Sequence, residues 1–190
     1  MSDITPLLPR KPVPDLSVAV VGGGTWSIGG AKGNPFTMLV VYRGLHCPIC
    51  KMYLNELQKL LPEFERHGIE VVVVSSDTAE RAAKAKSDWG LAALKVGYGL
   101  DLATARRWGL YVSTSNGVTS AGVEEPAMFA EPGLFMIRPD RTLYFAATQT
   151  MPFARPRFED ILKALDFVIA KNYPARGEVE FVTAAKAAAE

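Results

Sequence analysis

The fold is decided by a short stretch, residues 40–52, which reads Val-Val-Tyr-Arg-Gly-Leu-His-Cys-Pro-Ile-Cys-Lys-Met. The chain has 2 cysteines, Cys47 and Cys50, and both lie here with two residues between them. The apolar run 36–42 predicts a buried strand, and the amphipathic run that begins near Pro48 predicts a helix. The sulfurs are therefore expected at a helix N-terminus, where free N–H groups and the helix dipole stabilise a thiolate. Residues three apart share a helix face, so the two sulfurs can form a disulfide.

Composition indicates a soluble globular protein of one domain. The chain has 190 residues, which is long enough to bury a core without disulfide staples. Lys plus Arg is 21 and Asp plus Glu is 20, so the net charge of +1 gives no indication of a nucleic-acid or membrane partner. Two cysteines are too few for a secreted disulfide scaffold, and neither a signal peptide nor an apolar run of about 18 residues is visible. We therefore expect a cytoplasmic protein in a compartment that keeps thiols reduced.

The N-terminal half alternates strands and helices. Residues 1–16 are rich in proline and predict an extended lead-in, and residues 17–28 predict a β-hairpin around a glycine turn. The helix that starts near Pro48 ends at Gly68 and carries an apolar stripe with steps of four and three residues: Cys50, Leu54, Leu57, Leu61 and Phe64. The β-branched run over residues 69–75 predicts a strand buried on both faces, as in a parallel or mixed sheet.

The C-terminal half continues the alternation. Asp77 or Thr78 can cap a helix that ends near Trp89. The elements predicted after it are a weak strand (94–98), a short helix (101–108), a hairpin (133–147) and a final helix (158–173). Residues 111–131 lack periodicity and are expected to form an irregular functional loop. We therefore predict an α/β fold with a central mixed β-sheet flanked by helices, in one domain over residues 17–173 with a tail over 174–190.

This order of elements, with Cys-Pro-Ile-Cys-Lys-Met opening the first long helix, resembles the thioredoxin fold. The extra N-terminal hairpin, the pattern Val-Val-Val-Val-Ser-Ser-Asp at 71–77 and the Trp-Gly-Leu at 108–110 resemble its peroxiredoxin branch. That branch is the alkyl hydroperoxide reductase and thiol-specific antioxidant (AhpC/TSA) superfamily. The resemblance spans roughly residues 15–173 and implies a thiol-based oxidoreductase that reduces peroxides or protein disulfides. It also implies no cofactor, an external thiol reductant such as a thioredoxin or glutathione system, and a homodimer.

The candidate site departs from both parent patterns. The peroxiredoxin motif Pro-x-x-x-Thr-x-x-Cys implies that Cys50 attacks peroxide, with Cys47 in place of the threonine and Arg43 in place of the proline. Peroxiredoxins also place an arginine just before the late hairpin, where this chain has Pro132. A proline there is the thioredoxin pattern, in which it is cis and faces the cysteines. His46 takes the place of the tryptophan that thioredoxins usually have before the first cysteine.

Two assignments of the attacking sulfur remain open. In the thioredoxin interpretation, Cys47 attacks a disulfide because it lies at the helix start and is the more accessible and more acidic thiol. Cys50 lies on the apolar stripe, and burial opposes its ionisation. In the peroxidatic interpretation, Cys50 attacks a peroxide and becomes a sulfenic acid, with which Cys47 condenses. Both assignments end with a Cys47–Cys50 disulfide.

The neighbouring residues have structural and functional interpretations. Arg43 is either an ion-pair partner or a group that stabilises the thiolate, and His46 is either a surface residue or a charged imidazole that lowers the pKa of Cys47. Because His46 and His67 are the only histidines, they cannot complete a typical zinc site, and we expect no metal. The alternative to an enzyme is a non-catalytic module that binds a protein partner through residues 111–131 or through the tail.

Overall fold

The computed structural model describes residues 4–29 and 33–180 of the chain. Apart from two short strands within residues 111–131, the strands and helices follow one another in the predicted order. They are β1 (Ser17–Val20), β2 (Thr25–Ser27), β3 (Thr37–Val41), α1 (Pro48–Arg66), β4 (Glu70–Val74), α2 (Ala79–Asp88), β5 (Val96–Tyr98), α3 (Leu102–Arg107), β6 (Val112–Thr114), β7 (Met128–Ala130), β8 (Gly133–Ile137), β9 (Leu143–Thr148) and α4 (Phe158–Ala170).

The main sheet has seven strands in the order β2-β1-β5-β4-β3-β8-β9. Strands β3, β4 and β5 are parallel to their neighbours within this group, whereas β1, β2, β8 and β9 pair antiparallel. The predicted mixed sheet is therefore confirmed. Strand β3 is buried along its whole length because it lies between β4 and β8.

Alternate residues of the central strands face two separate core layers. Met38 and Val40 of β3 pack with the apolar stripe of α1 and with α2 and α4, whereas Leu39 and Val41 pack on the other face. That second face is covered by α3 and by the lead-in, which contributes Val13. The predicted arrangement of helices on both faces is confirmed, and it follows from the period of two in a strand with no solvent-exposed face.

The first long helix forms as its sequence pattern predicts. All five residues of the apolar stripe are buried: Cys50, Leu54, Leu57, Leu61 and Phe64. Cys47 is the N-cap residue, Pro48 is the first helical residue, and Gly68 follows the helix with a positive φ of 71°. A proline at the first position costs no hydrogen bond, since that N–H has no partner in a helix. The cysteines are therefore fixed at a strand-to-helix junction.

Residues 111–131 are not irregular throughout, so that expectation was wrong at both ends of the segment, where two short strands form. Strands β6 and β7 pair antiparallel, with Ser113 opposite Phe129, and a further bridge joins Val118 to Glu124. Strands of three residues are too short to produce a readable alternation, and the pairing joins residues far apart in the sequence. This paired segment lies beside the cysteine site, as the contacts of Glu125 and Phe129 below demonstrate.

The described part of the tail packs on the lead-in of the same chain. The Arg10 side chain donates from Nε to the Ala175 carbonyl at 2.9 Å and forms an ion pair with Glu178 at 3.1 Å. Lys11 forms an ion pair with Glu180 at 2.5 Å. The last residues of the predicted tail, 181–190, lie outside the described residues. In the described ranges, none of the helices has the length and apolar character that would be needed to cross a membrane.

Candidate active site

The site lies where β3 ends and α1 begins. After Val41 the chain turns at Gly44, whose φ is 132°, and the Cys47 N–H closes the turn on the Gly44 carbonyl at 3.1 Å. A glycine is favoured there because other residues rarely adopt a positive φ. The turn delivers Cys47 to the N-cap position and Cys50 to the first turn of α1.

Cys50 is fully buried and is the more acidic of the two thiols. Its sulfur accepts a hydrogen bond at 3.0 Å from Nη2 of Arg155. Burial by itself opposes ionisation, but the hydrogen bond from the Cys47 thiol and the charge and hydrogen bond of Arg155 outweigh it. The backbone N–H of Arg43 adds to this, and the pKa of Cys50 falls to about 6. These donors therefore favour the thiolate form of Cys50.

Cys47 does not have the predicted properties. Its side chain is only 2% exposed, and although its sulfur accepts the Cys50 N–H at 3.2 Å as expected of an N-cap, its pKa is raised. The main cause is the hydrogen bond that its thiol donates to Cys50, and burial and the negative charge of Cys50 add to it. The expectation that Cys47 is the accessible, acidic sulfur was wrong, because one backbone donor does not offset a neighbouring thiolate.

The Arg43 side chain is an ion-pair partner, as one of its two interpretations predicted. Its Nη2 lies 3.2 Å from Oε1 of Glu125, its Nε lies 3.5 Å from Oε2 of Glu131, and the guanidinium stands 4.6 Å above the Phe129 ring. Only the backbone N–H of Arg43 acts on Cys50. The Arg43 side chain thus attaches the β6–β7 segment to the cysteine turn.

His46 is buried and neutral, not a surface residue or a charged imidazole. Its ring packs on Phe129 at a centroid distance of 4.5 Å, and its Nε2 lies 4.0 Å from Oε1 of Glu125. Burial lowers the pKa of His46 to about 4, with a further lowering by the charge of Arg43 that Asp77 and Glu125 only partly oppose. The hypothesis that a charged imidazole lowers the pKa of Cys47 is therefore wrong at neutral pH.

Pro132 lies directly before β8, the first strand of the late hairpin, as predicted, but its peptide bond is trans. None of the described peptide bonds is cis. The chain runs extended from β7 into β8, with the Glu131 N–H on the Tyr111 carbonyl at 2.8 Å and the Pro132 carbonyl accepting the Gln149 N–H at 3.0 Å. Gly133, the next residue, lies opposite Val41. The expected cis geometry is wrong because pairing on both sides keeps this segment extended.

Arg155 is a candidate functional residue that sequence analysis did not identify. It lies in the segment between β9 and α4, residues 149–157, here termed the strap, 105 positions from Cys50. The guanidinium stands 4.9 Å above the Tyr53 ring, and the Tyr53 hydroxyl donates to the Pro156 carbonyl at 2.7 Å. These contacts attach the strap to the first turns of α1. A search for a cation on either side of the late hairpin, instead of only before it, would have included Arg155.

Metal ligands are not grouped in this region or elsewhere in the described ranges. Across residues 4–29 and 33–180, no three His, Cys, Asp or Glu side chains are arranged to hold a metal ion. The site consists of two thiols, one cation and backbone donors. Such an arrangement can lower the pKa of one sulfur and provide a second sulfur within reach.

Comparisons with known proteins agree with the fold. The sequence model of the AhpC/TSA family matches residues 9–146. Peroxidoxin BcpB from Mycobacterium tuberculosis is 16% identical, with a TM-score of 0.66 over 85% of this chain and 98% of that one. A cysteine-to-serine mutant of peroxiredoxin 6 from Arenicola marina is 17% identical, with a TM-score of 0.68 over 96% and 88%. Enterococcus faecalis AhpC is 16% identical, with a TM-score of 0.68 over 90% and 99%. No curated protein matches the chain.

Proposed function

Because the chain belongs to the AhpC/TSA family and is a thiol-dependent oxidoreductase of the peroxiredoxin type, we propose that it reduces peroxides through Cys50. The observation that carries this assignment is the 3.0 Å hydrogen bond from Arg155 to the Cys50 sulfur. A guanidinium favours the thiolate, and only the thiolate is a nucleophile. The family assignment also argues against the alternative of a non-catalytic binding module.

The proposed reaction starts from the Cys50 thiolate. Its sulfur attacks the terminal oxygen of a hydroperoxide, so an S–O bond forms and the O–O bond breaks. The departing alkoxide takes up a proton and leaves as an alcohol, or as water when the substrate is hydrogen peroxide. Cys50 becomes a sulfenic acid. Burial of the sulfur supports a small substrate, since a protein disulfide cannot approach a fully buried atom without a rearrangement.

Cys47 completes the proposed cycle as the resolving thiol. Its sulfur displaces hydroxide from the Cys50 sulfenic acid, and the Cys47 proton leaves with it as water. The product is the Cys47–Cys50 disulfide. An external thiol reductant, such as a thioredoxin or glutathione system, then supplies two electrons and two protons to restore the thiols. The raised pKa of Cys47 supports this role because it keeps the proton on Cys47 until Cys50 is oxidised.

The test compares two substrates and two single mutants. The reduced protein should consume hydrogen peroxide or an organic hydroperoxide, and it should reduce insulin disulfides at least about tenfold more slowly, because its sulfurs are buried. Cys47→Ser should still form a sulfenic acid that a dimedone probe traps, and Cys50→Ser should form none. Insulin reduction without peroxide consumption, or a sulfenic acid found on Cys47 alone, would overturn the assignment.

Three further features are proposed with it. The disulfide should be reversible, so that mass spectrometry finds a difference of two hydrogens between the two states. A homodimer is supported by the exposed Phe145 on β9, which ends the described sheet. Light scattering that finds only a monomer at micromolar concentration would exclude that dimer. A cytoplasmic location fits a dithiol that depends on a reducing compartment, and cell fractionation tests it.

A further inference from the structure

The Asp77 carboxylate lies buried beneath the cysteine turn, although it belongs to a different part of the chain. It follows β4, and its side chain is 0% exposed. Its Oδ2 accepts the Leu45 N–H at 2.7 Å, and its Oδ1 accepts Nε of Arg81 at 2.9 Å. A buried carboxylate is stable only when it is paired and hydrogen-bonded, and both oxygens meet that condition.

The backbone of Gly44 is fitted against this carboxylate. A Cβ at Gly44 would lie 2.6 Å from Oδ2 and 2.7 Å from Oδ1 of Asp77, and the glycine has a φ of 132°. The turn therefore approaches Asp77 as closely as a residue without a side chain permits. The Leu45 N–H and the Gly44 backbone together fix the position and orientation of residues 44–47 relative to the Asp77 carboxylate.

The position of this turn decides which donors reach the sulfurs. Its last residue, Cys47, accepts the Cys50 N–H on its sulfur at 3.2 Å. Cys47 ends it and, as the N-cap, determines where α1 starts. Arg81, the other partner of Asp77, also donates to the Glu124 carbonyl at 3.1 Å. Asp77 thus connects the cysteine turn to α2 and to the β6–β7 segment.

We propose that Asp77 is a positioning residue for the thiol chemistry: it acts through the Leu45 N–H to hold the turn that places Cys47, the N-cap residue, beside Cys50. Asp77 itself does not contact either sulfur among the described hydrogen bonds. The proposal deepens the function proposed above, but its test does not require peroxide turnover. It can therefore fail while the peroxidase assignment stands, and the reverse also holds.

The sign of the effect separates positioning from electrostatics. A negative charge near Cys50 opposes ionisation, so removing the Asp77 charge alone would lower the pKa of Cys50. Loss of the turn geometry removes a donor from the Cys50 sulfur and would raise the pKa of Cys50. We expect the geometric effect to prevail, because the Asp77 charge is already compensated by Arg81.

The experiment measures the pH dependence of Cys50 alkylation by iodoacetamide in a Cys47→Ser background. Asp77→Ala should shift the titration upward and slow alkylation near neutral pH about tenfold, which corresponds to about one pH unit. Asp77→Asn keeps an acceptor for the Leu45 N–H and should recover most of the rate. Gly44→Ala, which displaces the turn while leaving the carboxylate in place, should reproduce the effect of Asp77→Ala and covers the case in which Asp77→Ala does not fold.

The matched control is Asp101→Ala. The Asp101 carboxylate also accepts a backbone N–H, that of Thr104 at 2.8 Å, but it caps α3 on the opposite face of the sheet. Its loss should lower Tm and leave the alkylation profile of Cys50 unchanged. A Cys50 titration that moves downward, or does not move, in folded Asp77→Ala and Gly44→Ala proteins overturns the proposal.

Discussion

At the scale of single residues, the relative acidity of Cys47 and Cys50 is the reverse of the one that the sequence predicts. The N-cap geometry of Cys47 is present, yet the more acidic sulfur is Cys50, one turn later. The reason is that the thiol of Cys47 and the guanidinium of Arg155 both donate to one sulfur. Two donors and a full charge outweigh burial, which acting alone would have kept Cys50 protonated.

Replacement of Arg155 should remove most of the activation of Cys50. In Arg155→Ala we expect the pKa of the peroxide reaction, about 6 in the parent protein, to rise by roughly one to three pH units. The rate near neutral pH should then fall about tenfold or more, and Arg155→Lys should lie between the two. Stopped-flow kinetics across a pH series measures the shift.

The control for that series is Arg157→Ala, which removes an exposed arginine two residues further along that pairs with Glu159. Its pH profile should match that of the parent protein. If Arg155→Ala also retains a midpoint near pH 6, then Arg155 is not the group that favours the thiolate.

His46 should make folding stability depend on pH. Its pKa falls from 6.5 in the unfolded chain to about 4 in the folded protein. Its contribution to the free energy of unfolding is therefore complete above pH 6.5 and is lost as the pH falls toward 4. Between about pH 7 and about pH 4.5, the free energy of unfolding should drop by about 2–3 kcal/mol through this group.

Urea unfolding at both pH values measures that drop. His46→Leu should abolish this part of it, because leucine does not titrate, whereas His67→Leu should retain it. An equal drop in His46→Leu and the parent protein would assign the acid sensitivity to other groups.

At the scale of elements, we expect the strap to respond most directly to the oxidation state of Cys50, because Arg155 donates to its sulfur. Arg155 does not form an ion pair with any carboxylate among the described residues, and its polar contact is the Cys50 sulfur. Formation of the proposed disulfide removes the negative charge from that sulfur. A hydrogen bond to a charged group contributes about 1.5–3 kcal/mol, so its loss should loosen the strap.

Hydrogen exchange tests this expectation. Amides of residues 149–157 should exchange about tenfold or more faster in the disulfide form than in the reduced form, which corresponds to about 1.4 kcal/mol. In Cys50→Ser, which cannot form the disulfide, the strap amides should exchange fast under both reducing and oxidising conditions. The amides of α3, on the opposite face of the sheet, serve as the internal control. Equal protection of the strap in the two redox states would argue against this coupling.

At the scale of the whole molecule, the two ends of the described chain are joined by weak ion pairs. The pair Arg10–Glu178 has side chains that are 46% and 34% exposed, so solvent screens it. A double-mutant cycle with Arg10→Ala and Glu178→Ala should give a coupling energy of at most about 1 kcal/mol. Salt should weaken it further. A coupling of several kcal/mol would mean that the tail is a larger part of the folded core than its exposure indicates.

Local sequence patterns were sufficient to predict the mixed sheet, the order of the elements other than β6 and β7, and the position of the two cysteines at a helix N-terminus. These features depend on local patterns: the continuous apolar run of β4, the stripe from Cys50 to Phe64, and Pro48 at the first helical position. Each is set by residues close together in the chain, where the periods of strands and helices can be read directly.

The relative acidity of the two sulfurs, in contrast, depends on contacts that form only when the chain folds. Arg155 lies 105 positions from Cys50, and Asp77 lies 32 positions from Leu45, so no local pattern connects them. The pKa of a buried thiol depends on the few charges and donors within hydrogen-bonding distance, and folding chooses those from distant parts of the chain. The same holds for His46, whose charge is removed by packing against Phe129 from the β6–β7 segment.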